Sequence, residues 1–371
     1  MESVTAKASV IAKTRTEMRT AVVVLNWNTK DYLERFLPGL IDSVRTEDAE
    51  VIVADSASTD GSMEMMRERF PQIRRIEIDD NYGFTGGYNR AFEQIEAEYY
   101  VLINSDIEVT PGWLEPLTAW MDAHPDCGAC APKLRSWQDR GRFEYAGAAG
   151  GRIDRWGYPF CRGRILSRTE EDHGQYDTPA DVFWATGACL MTRSVLWRRL
   201  GGLDSRFFAH MEEIDYCWRL QLEGYRVCCI PQSVVYHLGG GTLPKSSPWK
   251  LKLNFRNGLL LLENNLARTF VAQGERPRKA LRHADRVIFW RKCLDGCSAA
   301  VYLLSGRRDY FKAVLEAHRE ARSLVSRPDV EALARQGKTS GIAGRYGGSI
   351  ILASLLKGKR VFDYIESKMV L

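Results

Sequence analysis

Four short stretches carry side chains whose types and spacing can do chemistry. Asn104-Ser105-Asp106 follows an apolar run and precedes Ile107-Glu108-Val109, so a single carboxylate stands on a turn just after a strand. Such a carboxylate can hold Mg²⁺ or Mn²⁺ when substrate phosphates supply most of the remaining ligands, because these ions keep waters and phosphate oxygens. Glu212-Glu213-Ile214-Asp215 lies where a helix begins. Adjacent like charges raise one another's pKa, which suits a general base. Acidic residues in a first turn also complement the helix dipole, and that reading accounts for one or two of the three. His237 ends the apolar run from Ser233 and is followed by Leu238 and three glycines, Gly239 to Gly241. Glycines let backbone approach a ligand closely, which makes His237 a candidate metal ligand rather than only a strand terminus. Asp55 ends another apolar run; it can accept hydrogen bonds from a nucleobase or ribose, or simply close the turn that runs to Gly61.

These residues must be positioned by the elements around them. Ala21 to Leu25, Val51 to Ala54, Arg75 to Ile78 and Tyr99 to Ile103 read as strands of a parallel sheet buried on both faces. Helix patterns lie between them: Tyr32 to Val44, a helix opened by Ser58-Thr59-Asp60-Gly61 and ending near Phe70, and Gly86 to Ile95. That alternation predicts an α/β fold built from right-handed βαβ units. After Pro111 come a helix (Trp113 to Ala123) and a Gly- and Arg-rich stretch, Arg140 to Arg168, of loops and short antiparallel strands. Then follow a strand from Val182 to Thr192, a helix from Glu213 to Glu223 closed by Gly224, and two short strands, Arg226 to Ile230 and Val234 to His237. From Trp249 the chain reads as helices: Leu251 to Leu266, Arg286 to Leu304 and Asp309 to Leu324. In open parallel sheets ligands sit beyond the carboxyl ends of the strands. Here those ends are Asn26-Trp27-Asn28, Asp55-Ser56, Asp79-Asp80-Asn81 and Asn104-Ser105-Asp106, all polar and three of them acidic. Neither a dinucleotide-binding glycine fingerprint nor a P-loop follows the first strand.

Taken together, Val23 to Asn28, Ala54 to Ser62, Asn81 to Arg90, Leu102 to Asp106, Thr186 to Met191, Gly202 to Phe208, Glu212 to Arg219, Gly224 to Arg226 and Tyr236-His237 form an ordered set. On these motifs the chain resembles family 2 glycosyltransferases of the GT-A fold. The branch it resembles is the rhamnosyltransferase-like group of bacterial surface-polysaccharide biosynthesis, over residues 20–260. The resemblance implies a Rossmann-like, mostly parallel sheet with a small antiparallel portion. It also implies inverting, Mg²⁺- or Mn²⁺-dependent transfer from a nucleotide sugar, with dTDP-rhamnose as the suggested donor. The acceptor would be a glycan or a polyprenyl-diphosphate-linked glycan. Donor-binding positions would be Asn26, Asn28, Asp55, Asn81, Gly83, Phe84, Asn89, Asn104 and Ser105. Asp106 and His237 would hold the metal, and the catalytic set would be Glu213, Glu212 and Asp215. The chain departs from the family pattern at Asn104, where the motif has a first Asp, and at Glu213, where Asp usually follows Glu; either Glu212 or Glu213 can then be the base. A single displacement needs no covalent nucleophile, and no Ser or Cys lies beside an activating His. Two other readings are an inactive sugar- or lipid-binding scaffold and a sugar-phosphate nucleotidyltransferase. The second lacks the expected Gly-rich basic loop after the first strand.

The chain divides into an N-terminal extension (1–19), a catalytic domain (20–243) and a basic helical region (244–371). Formal charge is −9 over residues 1–243 and +14 over residues 244–371. Clusters such as Arg276 to Lys279, Arg307-Arg308 and Lys357 to Arg360, interleaved with apolar helix faces, suit an anionic membrane surface or packing on the catalytic domain. A net charge of +5 is too mild to suggest nucleic acid. With neither an apolar leader nor a spanning run, the expected location is cytoplasmic, peripheral to the inner face of the membrane. The nine cysteines are expected as reduced, buried thiols. Cys127 and Cys130 have metal-ligand spacing but no second pair nearby. Trp184 and Trp218 can stack on a sugar, but core packing suits them better.

Overall fold

The computed structural model describes residues 18–45, 48–239, 247–339 and 341–369. Most of the expected N-terminal extension, the 243/244 boundary and the glycines Gly240 and Gly241 lie outside the described residues.

In Thr20–Asn26 (β1), successive apolar side chains enter two different cores. Ala21 and Val23 pack on one face of the sheet and Val22 and Val24 on the other, which is why the run is continuous rather than alternating. The same holds for Ala49–Ser56 (β2) and Tyr99–Asn104 (β4). Lys30–Ser43 (α1), Ser62–Arg69 (α2) and Gly83–Phe92 (α3) connect these strands and Arg74–Ile78 (β3). Ile107–Val109 (β5), Glu115–Ala123 (α4) and Cys127–Ser136 (β6) follow. Gly151–Asp154 (β7), Pro159–Cys161 (β8), Arg164–Ile165 (β9) and Arg168–Thr169 (β10) form the antiparallel portion. Ala180–Asp181 (β11), Cys189–Arg193 (β12), Ser194–Leu200 (α5), Glu212–Leu222 (α6) and Arg226–His237 (β13) complete the catalytic part.

Among the described residues the main sheet has the order β11-β13-β6-β12-β4-β1-β2-β3, with β5 paired to β13. The strands β4, β1, β2 and β3 are parallel. β12 runs antiparallel to both β4 and β6, and β13 runs parallel to β6. The carboxyl end of β13 therefore reaches the same edge as those of β1 to β4. The expected fold class is observed.

Two details differ from the sequence reading. The strand expected from Val182 to Thr192 is broken: only Cys189–Arg193 joins the central sheet, and the chain before it bends to pass Gly187 beneath the Phe84 ring. The two short strands expected before His237 are one strand, β13, with a register shift between Ile230 and Val234. Pro231 sits in that shift, where a residue without an N–H does not interrupt the ladder.

The C-terminal region packs on the catalytic part. Pro248–Ala272 (α7) and Pro277–Leu304 (α8) are longer than expected and Arg308–Leu324 (α9) matches. Ile350–Lys357 (α11) falls on one of the apolar helix faces expected in this region, whereas Val330–Ala334 (α10), Arg345–Tyr346 (β14) and Val361–Met369 (α12) are additional to the expected elements. Trp218 of α6 donates to Thr269 of α7 at 2.8 Å, and Arg291 of α8 donates to the carbonyls of Trp156 and Gly157. β14 pairs with β7 and so joins the second sheet, order β10-β9-β8-β7-β14. Seven cysteines are buried, but Cys293 and Cys297 are exposed on α8, against expectation.

Candidate active site

At the ends of β1 and β2 a hydrogen-bonded knot replaces two independent turns. Asn26, fully buried, donates from Nδ2 to Asp55 Oδ1 at 2.6 Å and to Ser58 Oγ at 3.0 Å, and its Oδ1 accepts from Thr29 Oγ1. Asp55 Oδ2 accepts from the Ser58 N–H. Asn28, at φ 53°, accepts from the Thr59 N–H at 2.7 Å, and its own N–H donates to Ser58 Oγ. Asp55 therefore closes its turn, and the knot leaves Asn28 and the neighbouring Trp27, 39% exposed, at the mouth of the sheet edge. The sequence reading missed Trp27; its position directly after a strand end is the signal that marks it.

Asn81 Oδ1 accepts from the Gly83 N–H at 2.9 Å at the start of α3. Gly83 has φ 71°, and a Cβ there would lie 2.5 Å from the Phe208 carbonyl, so this close approach needs glycine. Phe84 packs edge-on to Tyr88 and lies against Gly187. Asn89 is committed elsewhere: its amide accepts from the Leu203 N–H and donates to the Leu203 carbonyl. It ties α3 to the chain before α6.

The pairing of β5 with β13 sets Ile107 opposite His237, and this brings Asp106 beside the imidazole. Asp106 Oδ1 lies 3.1 Å from His237 Nε2, and Asp106 Oδ2 accepts from the Gly239 N–H. On the far side His237 Nδ1 stands 3.4 Å from Glu144 Oε1, within ion-pair reach but off-line for a hydrogen bond. All three residues are buried, and Glu144 also accepts from the Ala146 N–H. Burial opposes charge on His237, but Glu144 and Asp106 outweigh it and push the imidazole up to about 10. Burial likewise works against both carboxylates, yet the facing imidazole holds each below its usual range. Glu144 was not singled out from sequence, because it lies in an irregular stretch with no motif around it. Asn104 and Ser105 are half-buried beside Asp106, and the Asn104 N–H donates to the Ala188 carbonyl.

The donor set fits a divalent cation. A carboxylate oxygen and an imidazole nitrogen 3.1 Å apart present two ligand atoms to one point. Among the described residues no three His, Cys, Asp or Glu side chains form such a group. A two-donor site is what Mg²⁺ or Mn²⁺ accepts when diphosphate oxygens complete the shell.

Glu212 and Glu213 open α6 close to the same edge: a Cβ on Gly187 would sit 3.6 Å from the Glu213 Cβ. Each has one carboxyl oxygen, Oε2, buried without a hydrogen-bond partner. Burial, then the charge of Glu213, raises Glu212 well above the carboxylate range; burial pushes Glu213 up to about 7. Asp215 is corrected out of this set. It is fully buried, its Oδ2 accepts from Arg219 at 2.7 Å, and its Oδ1 accepts from Asn265 and Asn264. Both oxygens are engaged, so Asp215 joins α6 to α7. In the loop before α6, His210 carries a buried Nε2 with no partner, and burial and Lys250 push it down to about 4. Trp184 and Trp218 are buried and donate to protein oxygens, the packing role preferred for them.

Comparison with known proteins agrees with this geometry. Residues 21–199 match the family model "Glycosyl transferase family 2". The chain is 27% identical to an N-acetylglucosaminyl-diphospho-decaprenol L-rhamnosyltransferase of Mycobacterium tuberculosis, over 58% of this chain and 75% of that protein. It is 26% identical to the O-antigen biosynthesis protein RfbC of Myxococcus xanthus, over 59% of this chain but only 17% of that protein. In fold it is similar to GalNAc-T7, solved with UDP, GalNAc and Mn²⁺: TM-score 0.50, 15% identity, over 67% of this chain and about half (48%) of that structure. The matched segment, just under half of the chain, carries β1 to β4, the Asp106 turn and β12; it is a glycosyl transferase family 2 domain, and with its relatives it makes the chain a glycosyltransferase.

Proposed function

We propose that the chain transfers one sugar, with inversion, from a nucleoside diphosphate sugar to a polyprenyl-diphosphate-linked glycan in surface-polysaccharide synthesis. The observation that carries this reading is the pair of unlike acidic clusters at one sheet edge: Asp106 with His237, and Glu212 with Glu213. Asp106 and His237 would hold Mg²⁺ or Mn²⁺, which neutralises charge on a departing diphosphate. GalNAc-T7 was solved with Mn²⁺, which supports the choice of ion. The knot of Asn26, Asn28 and Asp55, with Asn81, Gly83, Asn104 and Ser105, would shape the nucleotide end of the site, and exposed Trp27 offers a stacking face.

Glu213 is the proposed base. Its raised pKa lets it take the acceptor hydroxyl proton near neutrality, and its free oxygen is available to do so. Glu212 stands beside it, raised by burial and by the charge of Glu213. Inversion is part of this reading, and the thiols among the described residues are poor candidates for a covalent nucleophile. The buried thiols Cys130, Cys161, Cys189, Cys217, Cys228 and Cys229 all have raised pKa values, with burial the first cause for all but Cys228, where the neighbouring Cys127 leads. A single in-line displacement needs no such nucleophile. The rhamnosyltransferase relative supports rhamnose as the sugar and a lipid-linked N-acetylglucosamine as the acceptor class.

Among the described residues no helix is long and apolar enough to cross a membrane. The peripheral reading has its own support. α8 exposes Phe289, Trp290, Val301 and Leu304 at 56% or more, with Cys293 and Cys297 between them and Arg282 and Arg286 on the preceding turns. An apolar face with a basic end suits the surface of an anionic bilayer.

The test is turnover of dTDP-L-rhamnose on a short-chain N-acetylglucosaminyl-diphospho-polyprenol, with the anomeric configuration of the product read by NMR. Inverted product that is lost in excess EDTA and recovered with Mn²⁺ supports the reading; retained configuration or full activity in EDTA sinks it. Flotation with anionic vesicles, lost in Phe289→Glu/Trp290→Glu, tests the membrane face. Equal recovery with neutral vesicles removes the electrostatic part.

A further inference from the structure

The five residues ahead of α6 hold the least favourable backbone in the catalytic part. Phe208 has φ 63° and ψ −61°, and the Ala209 N–H donates to the Phe207 carbonyl at 2.7 Å, a γ-turn of the strained hand. His210 and Met211 follow at φ 70° and φ 74°. None of the three is glycine, and such backbone persists only where surrounding structure over-determines it.

The restraint comes from α7, in the basic helical region. Asn257 is fully buried, and its Nδ2 donates toward three carbonyls of this segment: Phe207 at 2.9 Å, Ala209 at 2.8 Å and His210 at 2.6 Å. Arg256 Nε donates to Asn257 Oδ1 at 2.9 Å, which sets the amide so that its NH₂ faces the loop. Arg256 Nη2 adds a bond of 2.7 Å to the Phe207 carbonyl. The Phe208 carbonyl meanwhile accepts from the Thr85 N–H in α3, so one loop touches the donor-side helix and leads directly into Glu212 and Glu213.

We infer that Asn257, oriented by Arg256, is a positioning residue for the proposed base: it holds residues 207–211 in their strained path and so fixes where the first turn of α6 presents Glu213. It touches neither substrate nor reacting atoms; it acts through the loop. The inference rests on the reading of Glu213 as base, and the experiment separates the two.

Asn257→Asp keeps shape but sets an acceptor against three carbonyls, Asn257→Ala removes the donor, and Arg256→Lys keeps charge while losing the fork. The titration of Glu213 is followed by carboxyl ¹³C shifts in glutamate-labelled protein, assigned by its loss in Glu213→Gln. In parallel, kcat and KM are measured with dTDP-L-rhamnose and the short-chain lipid acceptor. For Asn257→Ala we expect the Glu213 midpoint to fall by at least about one pH unit, as water reaches the displaced carboxyl. We expect kcat to fall about 10²-fold with donor KM within twofold, the effect of an ångström-scale misplacement. Asn257→Asp should lose at least as much, and Arg256→Lys less than either. An unchanged Glu213 midpoint with kcat within threefold of the parent, in any folded Asn257 variant, overturns the inference. So does an equal loss in kcat and donor affinity that tracks only the folded fraction. If Glu213→Gln keeps full turnover, the base reading fails instead, while the Glu213 midpoint in Asn257→Ala still tests the positioning. If both Asn257 variants fail to fold, Arg256→Lys decides by the same two readouts.

Discussion

Two acidic clusters stand at the same sheet edge and are built on opposite principles. In the first, Asp106 and Glu144 flank His237, and each charge is answered: the carboxylates are held low and the imidazole is held high. In the second, Glu212 and Glu213 face no cation among the described residues, each leaves an oxygen unpartnered there, and both are raised. The first cluster holds a proton on an imidazole between two carboxylates, a place that a divalent cation on Asp106 and His237 would take over as that proton leaves; the second stores a proton-accepting site ready near neutral pH. What separates them is not residue type but whether a cation lies within contact distance of the buried carboxyl. An inverting transfer needs one of each, on opposite sides of the anomeric carbon.

The contrast breaks most visibly at the ion site. Asp106→Asn is expected to lower the transfer rate about 10³-fold, in the range seen when charge stabilisation at a leaving group is removed. An unchanged rate in saturating Mn²⁺ would mean that the first cluster is only structural. Glu213→Gln is expected to cost about 10²-fold or somewhat more, with donor KM little altered. In the parent protein kcat/KM should rise about tenfold per pH unit and level off above about 7, since the base works only when deprotonated. Glu212 and Cys217 lie beside Glu213, and burial raises both. A rising limb that survives Glu213→Gln points to Glu212 as the acting base.

A smaller effect sharpens the first cluster. Glu144→Gln leaves both proposed ligands in place but removes the carboxylate behind the imidazole. It should weaken Mn²⁺ binding about 10-fold, as loss of an outer partner of a ligating histidine does, measured by paramagnetic resonance titration. The smallest effect concerns stability. Glu212 is raised in the folded state, so its protonated form is the stabilising one. Its contribution is full below the ordinary glutamate value and declines as pH rises through the folded pKa. Glu212→Gln should therefore raise Tm by a few degrees at pH 8 and by less at pH 5. An equal shift at both would mean that Glu212 carries no uncompensated charge.

Local order told most about the parts that depend on local order. Continuous apolar runs mark strands buried on both faces, and their polar ends mark the ligand edge, so Asp106, Asp55 and His237 were all legible as strand-end residues. Glu144 was not, because an irregular loop carries no period that says which way a side chain faces. Asp215 misled for a related reason. It sits three residues after Glu212 on the same helix, in a first turn that is acidic but for Ile214, and only the approach of Asn264, Asn265 and Arg219 shows that its oxygens are engaged. Asn89 was drawn toward the donor by a glycine-rich segment, whereas its amide is consumed by Leu203.

Sequence by itself therefore determined the α/β alternation, the polar edge, the acidic start of α6 and the basic character of the C-terminal region. Each is written in residue type and short-range spacing. Tertiary structure alone decided which carboxylates meet a cation and which do not. It also decided that the basic helices hold the loop leading to Glu213 rather than hang free of the catalytic part. Charge compensation and backbone strain are properties of contacts between segments far apart in the chain, 131 residues in the case of Asp106 and His237, and no local pattern encodes them.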